Sequence, residues 1–521
     1  MGIVIITAMV VLMVDLALPR DRKSACVGVS IAGLLLAWAT CFSLWPSGTS
    51  TTVPPMTAFG GSVVADGFAL AFQIILIVVA ALSIMLSEKY IQQKGINYGE
   101  YYALLLFSTS GAMLMATSRE LITIFVGLEV LSIALYILSG FARTEAKSEE
   151  SAMKYFLLGS FSSGFFLYGI ALVYGGTSTT RLDVLLSTTS AAALSSVYTV
   201  AGFALLIVGL GFKAAIVPFH SWTPDVYEGA PTSVTAFMSA GAKAGAFAAL
   251  IRVAIVLLPL SSVFHDIFWV LALLTMVVGN VIAIVQTNIK RMLAYSSIAH
   301  AGYILVGLLA ANSTYARLHS DLHIPAQAYA GILFYVLAYT FMNLGAFGVL
   351  ILLARRGSEL NTIEDLQGLA QSQPRAAALM GLFMFSLAGV PPAAGFFGKF
   401  YVFIAAVQAQ EYSLAAIGLV VSVIGAAYYL KVIYTMYFMP SKREYPTDVW
   451  SFSPGVNVAL GICAIATLLF GILPGLLYGP SVLGGNSLTA RTAVAPVAAS
   501  APASAPPAAP ASAPIERASV R

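Results

Sequence analysis

Six ionisable side chains stand where an oily sequence has little use for them. Glu129 lies in "RELITIFVGLEVLSIALYIL", Lys213 and His220 in "GFKAAIVPFHSWTPDVYEG", Lys243 in "SAGAKAG", His300 in "YSSIAHAGYIL" and Lys399 in "GVPPAAGFFGKF". A charge at the centre of a membrane span costs about 2.5–3.5 kcal/mol even on the lenient insertion scale. Carried by helices rising 1.5 Å per residue, Glu129 would lie ~15 Å deep, Lys213 ~22 Å, and Lys243 and Lys399 ~18 Å. One acid, three lysines and two histidines therefore share roughly one level. Burial penalises the ammonium form of lysine and a nearby carboxylate restores it, so an acid that approaches and withdraws switches a buried lysine between holding and releasing a proton. The chemistry this pattern suits is proton transfer.

The elements that must hold these residues are apolar helices. Of 521 residues, 59% are hydrophobic and only 9% charged, against roughly a quarter charged in soluble proteins. Apolar runs recur near the ~20 residues needed to cross hydrocarbon as a helix, and backbone in lipid must satisfy its own hydrogen bonds. The expected fold is an all-α polytopic membrane protein with about fourteen spans: 2–18 (short, and uncleaved), 25–45, 64–86, 100–117, 120–141, 153–175, 197–218, 231–258, 265–287, 291–311, 326–354, 375–410, 413–438 and 454–479. Residues 488–521, rich in Ala, Pro and Ser, read as a disordered tail.

Cys26, Cys41 and Cys463 lie in apolar spans without CxxC or Cys/His spacing, so they frame no cluster, haem or disulfide. No P-loop or GxGxxG after a strand occurs. No cofactor is expected on this chain, no metal, and no nucleic acid as partner.

Lys and Arg concentrate in the connections after odd-numbered spans: Arg20, Arg22, Lys23, Lys89, Lys94, Arg143, Lys147, Lys290, Arg291, Arg355, Arg356, Lys442 and Arg443. By the positive-inside bias these face the cytoplasm, which puts both termini outside. Spans 7 and 12 are broken at "AAIVPFHSWTP" and "LAGVPPAAGFFGKF", because a proline inside a helix removes a hydrogen bond at a cost of about 3 kcal/mol. Breaks five spans apart divide the chain into residues 1–99, a five-helix unit 100–258, an inverted five-helix unit 259–440, a last span 441–487 and the tail. Paired broken helices in inverted repeats point to an ion path near the midplane.

Other charges have plainer readings. Lys431 and Arg252 are placed to snorkel or pair, "HSDLH" (His319, Asp321, His323) to be a solvated loop, and "PDVYEG" (Asp225, Glu228) to be a structured turn.

"FKAAIVPFHSWTPDVYEGAPTSVTAFMSAGAKAG", "NIKRMLAYSSIAHAGY" and "GVPPAAGFFGKFYVF" together resemble the antiporter-like membrane subunits of respiratory complex I, over nearly all of spans 3–14. The resemblance implies that Glu129 and Lys213 form a charge pair, that Lys243 bridges, that Lys399 is the terminal proton site, and that His220 and His300 lie on the polar axis between them. It implies a non-redox proton translocase subunit in a bacterial inner membrane. Its partners would be the other membrane and peripheral subunits, which carry FMN, iron–sulfur clusters and quinone. The competing readings are a stand-alone cation/proton antiporter using the same charges, and a scaffold in which they only hold helices together.

Overall fold

The computed structural model describes residues 1–19, 23–45, 55–187, 189–354, 359–441, 445, 450 and 453–492. Arg20, Arg22, Arg355, Arg356, Lys442, Arg443 and the tail from residue 493 lie outside the described residues. Among the described residues eleven helices have the length and composition to cross a membrane, and Gly2–Ala17, Pro374–Ala388 and Ala394–Gln408 are shorter apolar helices. The architecture is all-α apart from one small antiparallel hairpin among the described residues, Met56–Ala58 against Val63–Ala65.

In chain order the elements used below are α1 Gly2–Ala17, α2 Ser24–Ser43, α3 Gly67–Gln93, α4 Gly99–Thr117, α5 Leu121–Ser139, α6 Ala146–Thr177, α7 Val197–Ala214 and α8 Trp222–Gly229. They continue with α9 Thr232–Val256, α10 Ser261–Ile284, α11 Ile289–Asn312, α12 Ile324–Leu353, α13 Pro374–Ala388, α14 Ala394–Gln408, α15 Tyr412–Phe438, α16 Pro454–Ile472 and α17 Gly475–Thr492. The packing sorts helices by polarity. α9, α11 and α12 are almost wholly enclosed by other helices, whereas α2 and α6 leave most of their apolar surface open. Lipid solvates apolar surface and rejects charge, so Lys243 and His300 sit on the enclosed helices.

Both breaks use one device. α7 ends at Ala215, whose left-handed φ of 60° lets its N–H reach Phe212 O at 3.1 Å and lets Ile216 N–H reach Gly211 O at 2.8 Å. α13 ends at Gly389, φ 90°, with Gly389 N–H on Ser386 O and Val390 N–H on Phe385 O, each at 3.0 Å. These are Schellman-type caps, which satisfy carbonyls that a helix end leaves orphaned. In each case a proline, Pro218 or Pro392, follows three residues past the left-handed residue. The chain resumes as α8 and α14.

The C-terminal region corrects the sequence reading. The span expected over 454–479 is two helices: α16 stops at Ile472, and α17 begins at Gly475 and packs against α12 and α3. Pro474 explains the stop, since a helix ends at or before the residue preceding proline. Residues 488–492, assigned to the tail, belong to α17.

Candidate functional site

Lys213 occupies the last turn of α7 and is 3% exposed. Its Nζ donates to Tyr155 Oη of α6 at 2.8 Å and lies 4.8 Å from the Tyr155 ring centre and 5.6 Å from that of Tyr136, within cation–π range. Trp222, the first residue of α8, stacks on Tyr155 at 4.4 Å and 9°. The Trp222 Nε1–H bonds Phe212 O at 2.8 Å, and Val217 N–H bonds Thr275 Oγ1 at 3.0 Å. The backbone groups freed by the break are thus met by side chains, as water-free surroundings demand.

Glu129 of α5 is half-buried and accepts a hydrogen bond from Ser163 Oγ of α6. It lies within electrostatic reach of Lys213, yet Lys213 makes its hydrogen bond to Tyr155. The charge pair implied by the resemblance is therefore not closed in this structure: carboxylate and ammonium are each held by a hydroxyl of α6.

Lys243 follows a π-turn, Met238–Ala242, inside α9 and is 4% exposed. Its Nζ donates to the carbonyl and the hydroxyl of Ser297 on α11 and lies 5.6 Å from the Tyr339 ring centre. Such π-turns gather at functional sites. One turn along α11 from Ser297 stands His300, with Nδ1 2.6 Å from Tyr335 Oη and Nε2 3.1 Å from Tyr429 Oη. Tyr429 also bonds Ser296 Oγ at 2.5 Å. His300 is within electrostatic reach of both Lys399 and Lys243.

Lys399 of α14 donates to Ala388 O and to Ser422 Oγ, both at 2.8 Å, and lies 5.1 Å from the Tyr303 ring centre. Ala388 is the last residue of α13, so the lysine caps the carbonyl that the second break frees. A Cβ on Gly389 would come 3.1 Å from Lys399 Cδ, which explains a glycine at that cap.

The structure therefore brings Lys243, His300 and Lys399 around one buried cluster of tyrosines, and places Glu129 and Lys213 together at the first break. His220 is half-buried beyond that break, and its Nδ1 is buried without a hydrogen-bond partner. Sequence reasoning passed over Tyr155, Tyr303, Tyr335, Tyr339 and Tyr429. A signal was available in Tyr335 and Tyr339, four residues apart on one helix face.

Arg252 does not snorkel: it pairs with Asp66 at 3.0 Å, with both side chains almost fully buried, and its Nε–H bonds Ala116 O at 2.6 Å. Lys431 is exposed and reaches Gln286 O at 3.4 Å. Asp225 and Glu228 are clamped by Arg291 at 2.7 and 3.1 Å, and by Lys154 and Lys147. His319 stacks on Tyr315 at 4.0 Å.

Apolar helices enclosing buried charges, with Lys213 and Lys399 at two capped breaks, define an integral membrane protein, and the chain belongs to the NADH:quinone oxidoreductase/Mrp antiporter transmembrane family, whose model matches residues 118–425. Among its relatives, NADH-quinone oxidoreductase subunit N of Trichlorobacter lovleyi is 46% identical, covering 91% of this chain and 93% of the relative. Subunit N of Chloroflexus aggregans is 43% identical over the same shares of the two chains. A chain of respiratory complex I from Thermus thermophilus, solved with bound aureothin, superposes with a TM-score of 0.75 at 33% identity, covering 92% of this chain and 98% of that one. A chain of the Mrp complex from Dietzia sp. shares the fold, with a TM-score of 0.80 at 22% identity over 95% and 97% of the two chains.

Proposed function

We propose that this chain is a proton-translocating subunit of a NADH:quinone oxidoreductase, a translocase that carries no redox group of its own. Subunit N relatives spanning nearly the whole chain support the assignment. The observation that carries the mechanism is the enclosure of Lys213, Lys243 and Lys399, each less than a tenth exposed and each held by neutral oxygen atoms. Electrons pass from NADH to quinone on partner subunits, with FMN and iron–sulfur clusters bound there. Their turnover moves Glu129 toward or away from Lys213. An approaching carboxylate favours the ammonium and a withdrawn one lets it discharge. Protonation then moves outward through Lys243 and, along the axis of His300 and its tyrosines, Lys399; His220 lines the first break. Export of one charge against 100 mV requires about 2.3 kcal/mol, the least that each proton's coupling must supply.

This reading places the chain in the bacterial inner membrane with both termini periplasmic, and treats residues 100–258 and 259–440 as two inverted units around the path. The second reading, a stand-alone cation/proton antiporter, draws support from the shared fold of the Mrp chain. Purification in mild detergent separates them. The proposed subunit comes out with NADH:quinone reductase activity and the other respiratory subunits, whereas recovery of the chain free of them, with cation-driven proton exchange in liposomes, selects the antiporter.

A further inference from the structure

Lys290 was counted in the sequence as one of the basic residues of a connection, yet the structure buries it to 3% exposure, as deeply as the lysines of the path. Its Nζ donates to Ala230 O at 3.1 Å, at the residue just before the turn that starts α9, the helix of Lys243. On α11, Lys290 and Ser297 are seven residues apart: two turns, about 10 Å, along the same face. Ser297 is the residue that holds Lys243, and Tyr227 of α8 bonds that same serine. A buried lysine thus stands two helical turns along α11 from the serine that holds Lys243.

On its other side lies a bounded set of charges. Glu359, in the connection after α12, accepts from Tyr90 Oη at 2.7 Å and pairs with Lys94 at 2.8 Å. Lys94 also pairs with Glu145 at 2.7 Å. Tyr90 Oη in turn accepts from Thr232 N–H at 3.0 Å, at the start of α9. The charged groups that face Lys290 are Glu359, Lys94, Glu228 and Glu145, with Arg291 beside it in sequence clamped to Asp225 and Glu228. Burial works against ionisation of Glu359, but Lys290 and Lys94 outweigh it and hold the carboxyl below its ordinary range. Glu359 is therefore an ionised carboxylate beside Lys290, partly open to water.

We propose that Lys290 is a fourth proton-exchanging lysine, the loading site on the basic, cytoplasmic face from which Lys243 is filled. Its Nζ takes one proton from the aqueous side beside Glu359 and passes one inward toward Lys243 by way of the Ser297 and Tyr227 hydroxyls. The inference rests on the proton-translocating reading above.

The test uses the whole complex in inverted membrane vesicles, where the cytoplasmic face meets the buffer. Lys290→Arg keeps the cation and the bond to Ala230 but does not release its proton at physiological pH. The expected result is normal assembly with NADH-driven proton uptake reduced fivefold or more; uptake equal to the parent complex overturns the proposal. Glu359→Gln covers the case in which arginine does not fit, because the amide oxygen still accepts from Tyr90. Without the carboxylate, Lys290 binds its proton less tightly, so the alkaline limb of turnover against buffer pH moves to lower pH; an unmoved limb overturns the proposal. Lys243→Ala separates the two levels. Blocked pumping there beside normal pumping in Lys290→Arg rejects the loading site alone, while normal pumping in Lys243→Ala rejects the translocating reading itself.

Discussion

The two broken helices share a cap and differ in where they put their lysine. Lys213 precedes its break, in the last turn of α7, whereas Lys399 follows its break by ten residues, on α14. Lys213 is held by a phenol, with Glu129 in reach but not in contact. Lys399 is held by the broken helix itself, through the freed carbonyl of Ala388, and by Ser422. Under the proposed mechanism the first arrangement has a movable counter-charge, so it can be switched from outside. The second has fixed dipoles, so its proton affinity is set by the fold and its state must be changed by a neighbour's charge. One cap geometry thus serves, under the proposed mechanism, an input that is driven and an output that responds.

The largest effect should come from removing the driven end. Lys213→Ala is expected to leave the complex assembled while NADH:quinone turnover and vesicle acidification fall by tenfold or more; an assembled variant with unchanged values would erase the distinction between the two breaks. The next tests whether the responding end exchanges protons at all. Lys399→Arg preserves charge and donors but stays protonated, so it should assemble and fail to pump. A purely structural role predicts the opposite order, with arginine tolerated and Lys399→Ala failing to assemble, because an alanine leaves a buried helix end without its cap.

The smallest effects sharpen the comparison. Tyr155→Phe keeps the ring under Lys213 and deletes the hydroxyl it bonds, a loss of about 1.5–3 kcal/mol for a hydrogen bond to a charged group. Ser422→Ala leaves Lys399 with Ala388 O, which no side-chain change removes. Turnover should drop several-fold in Tyr155→Phe and less than twofold in Ser422→Ala. Equal losses measured side by side would show that the backbone carbonyl does not anchor Lys399.

The lysines, Glu129 and both breaks were legible in the sequence because charge and proline are conspicuous in apolar runs. The tyrosines were not, since a tyrosine in an oily span reads as core until a lysine or histidine is placed against its hydroxyl. The contact state of Glu129 was likewise out of reach: spacing puts two charges at one depth but does not say whether a phenol intervenes. Arg252 gave no sign of its partner because Asp66 lies 186 residues away in the chain. The stop at Pro474 was written in the sequence, but hydropathy continuing through Leu476, Leu477 and Tyr478 masked it.

The π-turn before Lys243 carries a different consequence. A π-turn holds one residue more than the α-helical path requires, so Met238–Ala242 works as a one-residue insertion in the phase of α9. Closing the same residues into an uninterrupted α-helix, with none removed, would swing everything beyond by about 100°, since one turn takes 3.6 residues. Lys243 would then leave Ser297, while the apolar face of the helix before the turn kept its place. The direction of the central lysine is thus set not by the lysine but by how "MSAGA" closes its turn, and an α9 of the same sequence without the π-turn would point its charge at the wrong neighbour.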